Sequence, residues 1–246
     1  MTDVLEIDGR AWTAAELAAL TTPLHVKGNL DLSEWPHPLP TLATIGGGAD
    51  LRGYPHALPA LASIGGNAYL EGYLHALPTL ATIGGNAYLR GSQGDLPALA
   101  SIGGGASLGG FQGDLPALAS IDGGAILGGY QHALPTLASI GGWAYLEGYQ
   151  HALPALTSIG GEADLESFQG ALPPWLIDGG KDSRGYYFTG MLVAGEWRIR
   201  AGCRDFSLEK AREHWGACGA SNRPDCLALV EKIAAEIERR AALKVA

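Results

Sequence analysis

The chain has 246 residues, 37 of them glycine and 14 proline, with three cysteines and a formal net charge of −9. This acidic balance argues against direct nucleic-acid binding, which runs on basic surface, and no apolar run reaches membrane-span length. Few cysteines and no basic N-terminal leader point to a reducing, cytoplasmic setting.

Residues 1–23 read as an N-terminal cap. Thr13 is placed to cap a short helix running to about Leu20. Such a helix would cover the open end of the repeating segment that begins at residue 24, since an exposed terminal strand invites edge pairing.

From 24 to 180 the chain repeats itself. Leu-Pro recurs at 39, 58, 77, 96, 115, 134, 153 and 172, a period of 19 with no slip. Numbered from that leucine, the unit is L-P-x-L-A-[ST]-I-G-G-x-A-x-L-x-G-[YF]-x-[HG]-[AD], and a weaker copy precedes it with Val26, Gly28, Leu30 and Leu32 in the same columns. Each unit is too short for two helices and too rich in glycine for one. The stretch x-A-x-L-x alternates with the period of a half-buried strand. Stacking about eight such coils predicts a mainly β repeat solenoid with one parallel sheet, roughly 40 Å long at about 4.8 Å per coil.

The pattern L-x-x-I-G-G-x-A-x-L resembles leucine-rich-repeat proteins, and more closely the receptor L-domain type, over about 24–180. That resemblance implies a binding solenoid rather than an enzyme. The units here are shorter than in those families and carry Ala at the first inward strand position. A narrower parallel β-helix therefore stands beside the curved LRR-like form as an alternative.

Columns separate into structure and surface. Position 16 stacks Trp35, Tyr54, Tyr73, Ser92, Phe111, Tyr130, Tyr149 and Phe168. It follows a glycine and is read as an inward aromatic ladder. Position 12, between the inward Ala and Leu, points outward by alternation; it holds Asp50, Tyr69, Tyr88, Ser107, Ile126, Tyr145 and Asp164. With Glu71, Arg90 and Glu147 two residues further on, this face has the Tyr-and-Arg composition of a contact surface. Asp50, Tyr69, Glu71, Tyr88, Arg90, Tyr145, Glu147 and Asp164 are thus the candidate partner-binding residues. The recurring His37, His56, His75, His132 and His151 have no carboxylate column beside them, and read as turn residues rather than metal ligands.

Residues 181–246 have another texture. "GYYFTGMLVAGEWRIRAGCRDF" reads as two strands turning at Ala194-Gly195. Ser207 caps "LEKAREHW", Gly216 stops it, and a last helix spans about 225–243, giving a small ββαα module. The module resembles tail modules behind repeats in uncharacterised bacterial and phage proteins, without an activity attached. Cys203, His214, Cys218 and Cys226 are four zinc-type side chains lacking tight C-x2-C spacing. Core thiols are the default for them, and a zinc-dependent enzyme is the remote alternative. Charge divides the parts: 24–180 holds three Lys or Arg against twelve Asp or Glu, while 181–246 holds twelve against nine.

No catalytic constellation stands out from the repeat background. The expectation is a non-enzymatic protein–protein interaction module without cofactor, binding a protein partner through the exposed sheet face. A basic nucleic-acid-binding protein would suit its charge. The alternative is a phage-encoded inhibitor that covers such a host defence protein by acidic mimicry. Self-association is also open; direct nucleic-acid and membrane contact are not expected.

Overall fold

The computed structural model describes residues 4–217 and 219–243. The repeats form a parallel β-solenoid. Its strands build two eight-stranded parallel sheets instead of the single sheet expected from sequence. One sheet comes from positions 6–7 of each unit, as in Ser63–Ile64, and the other from positions 11–12, as in Ala68–Tyr69. Pairing is in register at the full period, so Ala87 lies beside Ala68 and Ala106, and Tyr88 beside Tyr69 and Ser107.

The inward columns explain the period. From the coil of Leu39 to that of Leu153, leucines at positions 1, 4 and 13, Ile at 7 and Ala at 11 are all buried, at no more than 4 % exposed; Leu172, opening the last unit, is half-buried. The Gly-Gly pair makes the corner between the two sheets, where coils approach closely. A Cβ on Gly66 would lie 2.6 Å from the Gly48 nitrogen and 2.8 Å from the Gly47 carbonyl carbon. The next bend needs left-handed backbone: Gly53, Gly72, Gly91, Gly110, Gly129 and Gly148 have φ between 68° and 80°. Ser167, in the last coil, holds the same bend at φ 55°.

The aromatic ladder at position 16 is buried from Trp35 to Tyr149, and Phe168 is half-buried. Phe111, Tyr130, Tyr149 and Phe168 stack in series, with ring centroids 5.9, 6.4 and 6.3 Å apart. Burial raises the tyrosine pKa values, that of Tyr149 to about 12. Each hydroxyl donates to the position-18 carbonyl of the preceding coil: Tyr54 to His37, Tyr73 to His56, Tyr130 to Gly113 and Tyr149 to His132.

The ladder also accounts for the histidine column. His occupies position 18 wherever position 16 is Trp or Tyr, and Gly wherever it is Phe or Ser. Imidazole Nε2 of His56, His75 and His151 donates to a carbonyl of the preceding coil at 2.6–2.8 Å. After Phe the turn has no room for a side chain: a Cβ on Gly113 or Gly170 would lie 2.8 or 2.6 Å from the phenyl Cζ. His56, His75 and His151 are thus hydrogen-bonded turn residues, and His132 instead meets the Asp114 carboxylate of the preceding coil, Nδ1 to Oδ1 at 2.7 Å.

Both ends of the solenoid are closed. In the Gly-Gly corner, backbone N–H groups reach back to the coil before, as Gly46 to the Val26 carbonyl and Gly47 to the Gly28 carbonyl. The first coil has no coil before it. There the Asp8 carboxylate accepts from Lys27 N and Gly28 N at 2.8 Å each. Asp8 sits at the turn of a hairpin (Val4–Ile7 with Arg10–Thr13) that precedes the expected helix. That helix is shorter than expected, Ala14–Ala18, with Thr13 and Glu16 forming a reciprocal cap. At the far end the carbonyls of Ile159 and Gly161 lack a following coil, and Arg200 Nη1 donates to both at 2.9 and 2.7 Å.

Arg200 belongs to the C-terminal module, which is larger than two strands and two helices. It has a four-stranded antiparallel sheet: Leu176–Lys181, Tyr187–Val193, Glu196–Ala201 and Arg204–Ser207. The first strand begins inside the stretch read as the closing coil, so the 180/181 division falls within it. The turn at Ala194-Gly195 is present, with φ 50° and 85°, as a tight hairpin requires. Helices Leu208–Trp215 and Pro224–Leu243 cover one face of the sheet, where Val230 and Ile233 pack with Ile177 and Phe188. Tyr187 and Met191 on the other face join the solenoid core. Among the described residues no helix is long and apolar enough to cross a membrane.

Candidate interaction face

On the outer surface of the position 11–12 sheet, Ile126 and Tyr145 are exposed, and Asp50, Tyr69, Tyr88, Ser107 and Asp164 are half-buried. Tyr69 and Tyr88 stand on it as a stacked pair, centroids 5.0 Å apart and planes within 4°. Each ring is steadied by the residue two before it: Asn67 Nδ2 donates to the Tyr69 hydroxyl, and Asn86 Nδ2 to that of Tyr88, both at 3.4 Å. The same asparagines tie coils together. Asn67 Oδ1 accepts from Asn86 N, and Asn86 Oδ1 from Gly105 N. Sequence reasoning missed them, although "GGNAYL" occurs twice and places Asn and Tyr on one side of the strand.

Position 14 is not on the strand, as the alternation had suggested; it opens the following turn. Arg52 reaches back to Asp50 (Nη2 to Oδ2, 2.5 Å) and lies over the Tyr69 ring at 5.5 Å. That pairing holds the Asp50 carboxyl below its usual range. Glu71 is half-buried beside it, while Arg90 is exposed and makes no ion pair among the described residues.

The remaining predicted residues lie apart from these. Between Tyr88 and Tyr145 come the rungs of Ser107 and Ile126, so the two tyrosines are about 14 Å apart along the solenoid. Tyr145 is 42 % exposed and packs on Trp143 at 4.6 Å, with Ile126 beside it also exposed. Glu147 is exposed, and Asp164 is engaged by Lys181 at 3.4 Å. The face therefore has two patches: Asp50, Tyr69, Glu71, Tyr88 and Arg90 near the N-terminal end, and Ile126, Trp143, Tyr145 and Glu147 further on. An open groove of about 760 Å³ runs between the first patch and the N-terminal hairpin, bordered by Leu5, Glu6, Asp31, Asp50, Asn67 and Tyr69.

In the tail, Cys203, His214 and Cys226 border one cavity, but their ligand atoms do not converge as a metal set; Cys218 lies outside the described residues. Among the described residues the group that does converge is Asp182, Asp225 and Cys226. Arg223 already spans it, 3.2 Å from Asp182 and 2.6 Å from Asp225, and supplies the positive charge a metal would bring. The Cys226 thiol is pushed up to about 11, mainly by burial, which makes it a poor thiolate ligand at neutral pH. No known protein family, curated protein or solved structure matches this chain.

Proposed function

We propose that the chain is a non-enzymatic interaction module that binds a protein partner through the outer face of its position 11–12 sheet. The observation that carries this reading is the contrast between two aromatic columns on one scaffold. Position 16 is buried and hydrogen-bonded, whereas on the outer face Tyr69 and Tyr88 stand half-buried as a stacked pair and Tyr145 stands exposed beside Trp143. Rigid tyrosines beside an unpaired arginine are the groups that anchor protein interfaces. The likeness of the repeat to receptor L-domain and leucine-rich-repeat units points the same way, since such solenoids mostly bind partners.

Charge favours a particular kind of partner. The solenoid's net charge of −9 suits a basic surface, such as that of a nucleic-acid-binding protein, met in the cytoplasm. On this second reading the module, phage-encoded, inhibits a host defence protein by standing in for its nucleic acid. Affinity capture from the native host with wild type and with Tyr88→Ala/Arg90→Ala tests both. A partner held by wild type and lost by the variant supports the face, and equal capture by both refutes it. A nucleic-acid-handling partner released steeply with salt supports the inhibitor reading; a partner indifferent to salt removes it.

A further inference from the structure

The C-terminal module contains a cavity of about 280 Å³ that the interaction face does not use. It lies where the 182–186 turn and the 201–204 hairpin turn meet His214, Trp215 and Ser221. Its inner wall is apolar: Phe188 and Trp215 are buried, with ring centroids 5.0 Å apart. Tyr186 forms the outer wall. This residue is 53 % exposed, and its ring lies against Gly202, where a Cβ would come within 3.2 Å of it.

The polar groups around this slot carry positive charge. Arg204 is exposed and makes no ion pair among the described residues. Ser221 Oγ and His214 Nε2 are 2.9 Å apart at the same cavity. Arg184 lies over the Tyr186 ring at 5.5 Å. The one carboxylate in the lining, Asp182, is engaged internally. It accepts from the backbone of Arg184 and Tyr186, from Arg223 and from the Cys226 thiol, and its side chain is 1 % exposed. An incoming molecule therefore meets cations and donors between two aromatic walls.

We propose that this cavity binds a small aromatic molecule carrying one anionic group, a carboxylate or a phosphate. The ring would lie between Tyr186 and Trp215, and the anion would take the Arg204 guanidinium, whose fork matches either group, with Ser221 and His214 beside it. The Ser221–His214 pair is assigned to binding rather than to nucleophilic catalysis. His214 is flanked by the rings of Phe206 and Trp215, at 5.0 and 5.1 Å, and no carboxylate orients it. The volume, near the lower end for ligand pockets, restricts the ligand to a single-ring or small fused-ring compound.

Calorimetric titration of the full chain with phenyl phosphate, benzoate and neutral benzyl alcohol tests the proposal. At least one anion should bind with Kd below about 1 mM and at least tenfold more tightly than benzyl alcohol. Which anion binds better identifies the group. Arg204→Gln should weaken that binding at least tenfold without moving the melting temperature, because Arg204 holds no partner. As a second readout, the bound anion should slow alkylation of Cys203, an exposed thiol on the cavity wall, followed by mass on its own peptide. Anions binding no better than benzyl alcohol, or unchanged affinity in folded Arg204→Gln, would overturn the assignment. Tyr88→Ala/Arg90→Ala should leave this binding intact, so its failure and that of the interaction face are separable.

Discussion

The two ends of the solenoid solve opposite problems with opposite charges. At the N-terminal end, backbone N–H groups of Lys27 and Gly28 have no earlier coil, and an exposed carboxylate from a hairpin turn receives them. At the C-terminal end, carbonyls of Ile159 and Gly161 have no later coil, and a largely buried guanidinium from a packed sheet supplies donors. At the Gly-Gly pair these hydrogen bonds run back to the coil before, opposite to those of the following strand (Ala49 N to the Asn67 carbonyl), so at this corner the first coil is short of acceptors and the last of donors. The lesson is that a repeat's closing groups follow from its hydrogen-bond direction. A residue outside the repeat can be chosen by that rule, without resembling the unit it replaces.

An interior substitution sets the scale for that comparison. Leu108→Ala should lower stability by about 2–5 kcal/mol, because coils on both sides lose contacts around a fully buried site; chemical denaturation measures it. Arg200→Ala comes next, at about 2–3 kcal/mol, since it leaves the carbonyls of buried Ile159 and half-buried Gly161 without their donor and Asp205 with Arg198 alone. Amide exchange should accelerate in the last coils first, and protection unchanged there would break the proposed symmetry.

Asp8→Asn should have a smaller effect with a pH signature. The two backbone N–H groups hold the Asp8 carboxyl below the usual aspartate value. Its contribution is therefore fully present above about pH 4 and lost as pH falls through the lower folded value. Protection of the Lys27 and Gly28 amides should decline in acid in wild type and stay flatter in Asp8→Asn. The smallest effect is a gain: Ser167→Gly relieves the one non-glycine left-handed bend in its column and should stabilise by up to about 1 kcal/mol, read as a slightly higher melting temperature.

Much of this architecture is legible in the sequence, for physical reasons that also mark where reading stops. Leu, Ile and Ala columns betray their burial because every coil must present the same shape to its neighbours. The buried position-16 ladder follows from its place after a left-handed glycine. The second sheet escapes notice because its strands are two residues long, and alternation cannot be recognised in Ser63–Ile64 alone. "IDGR" at 7–10 is an Asp-Gly hairpin signal, overlooked beside the stronger helix cap at Thr13. In the tail, Leu176–Lys181 is hidden inside a degenerate repeat, and Arg204–Ser207 is too short and charged to read as a strand. The displayed tyrosines are visible by alternation, but their division into two patches depends on Ser107 and Ile126 interrupting the column. The cavity draws residues from 182 to 226 on separate elements, and no spacing in the sequence announces it.

The central claim is that one aromatic column holds the solenoid together while the other binds. The most direct measurement is the affinity of the captured partner for Tyr88→Ala/Arg90→Ala, which loses one half-buried stacking partner of Tyr69 and one exposed side chain and should stay within about 1 kcal/mol of wild-type stability. A loss of about 30-fold or more is predicted, equivalent to one central anchor of about 2 kcal/mol. Wild-type affinity in this folded variant would contradict the claim and leave the tyrosine face a structural surface.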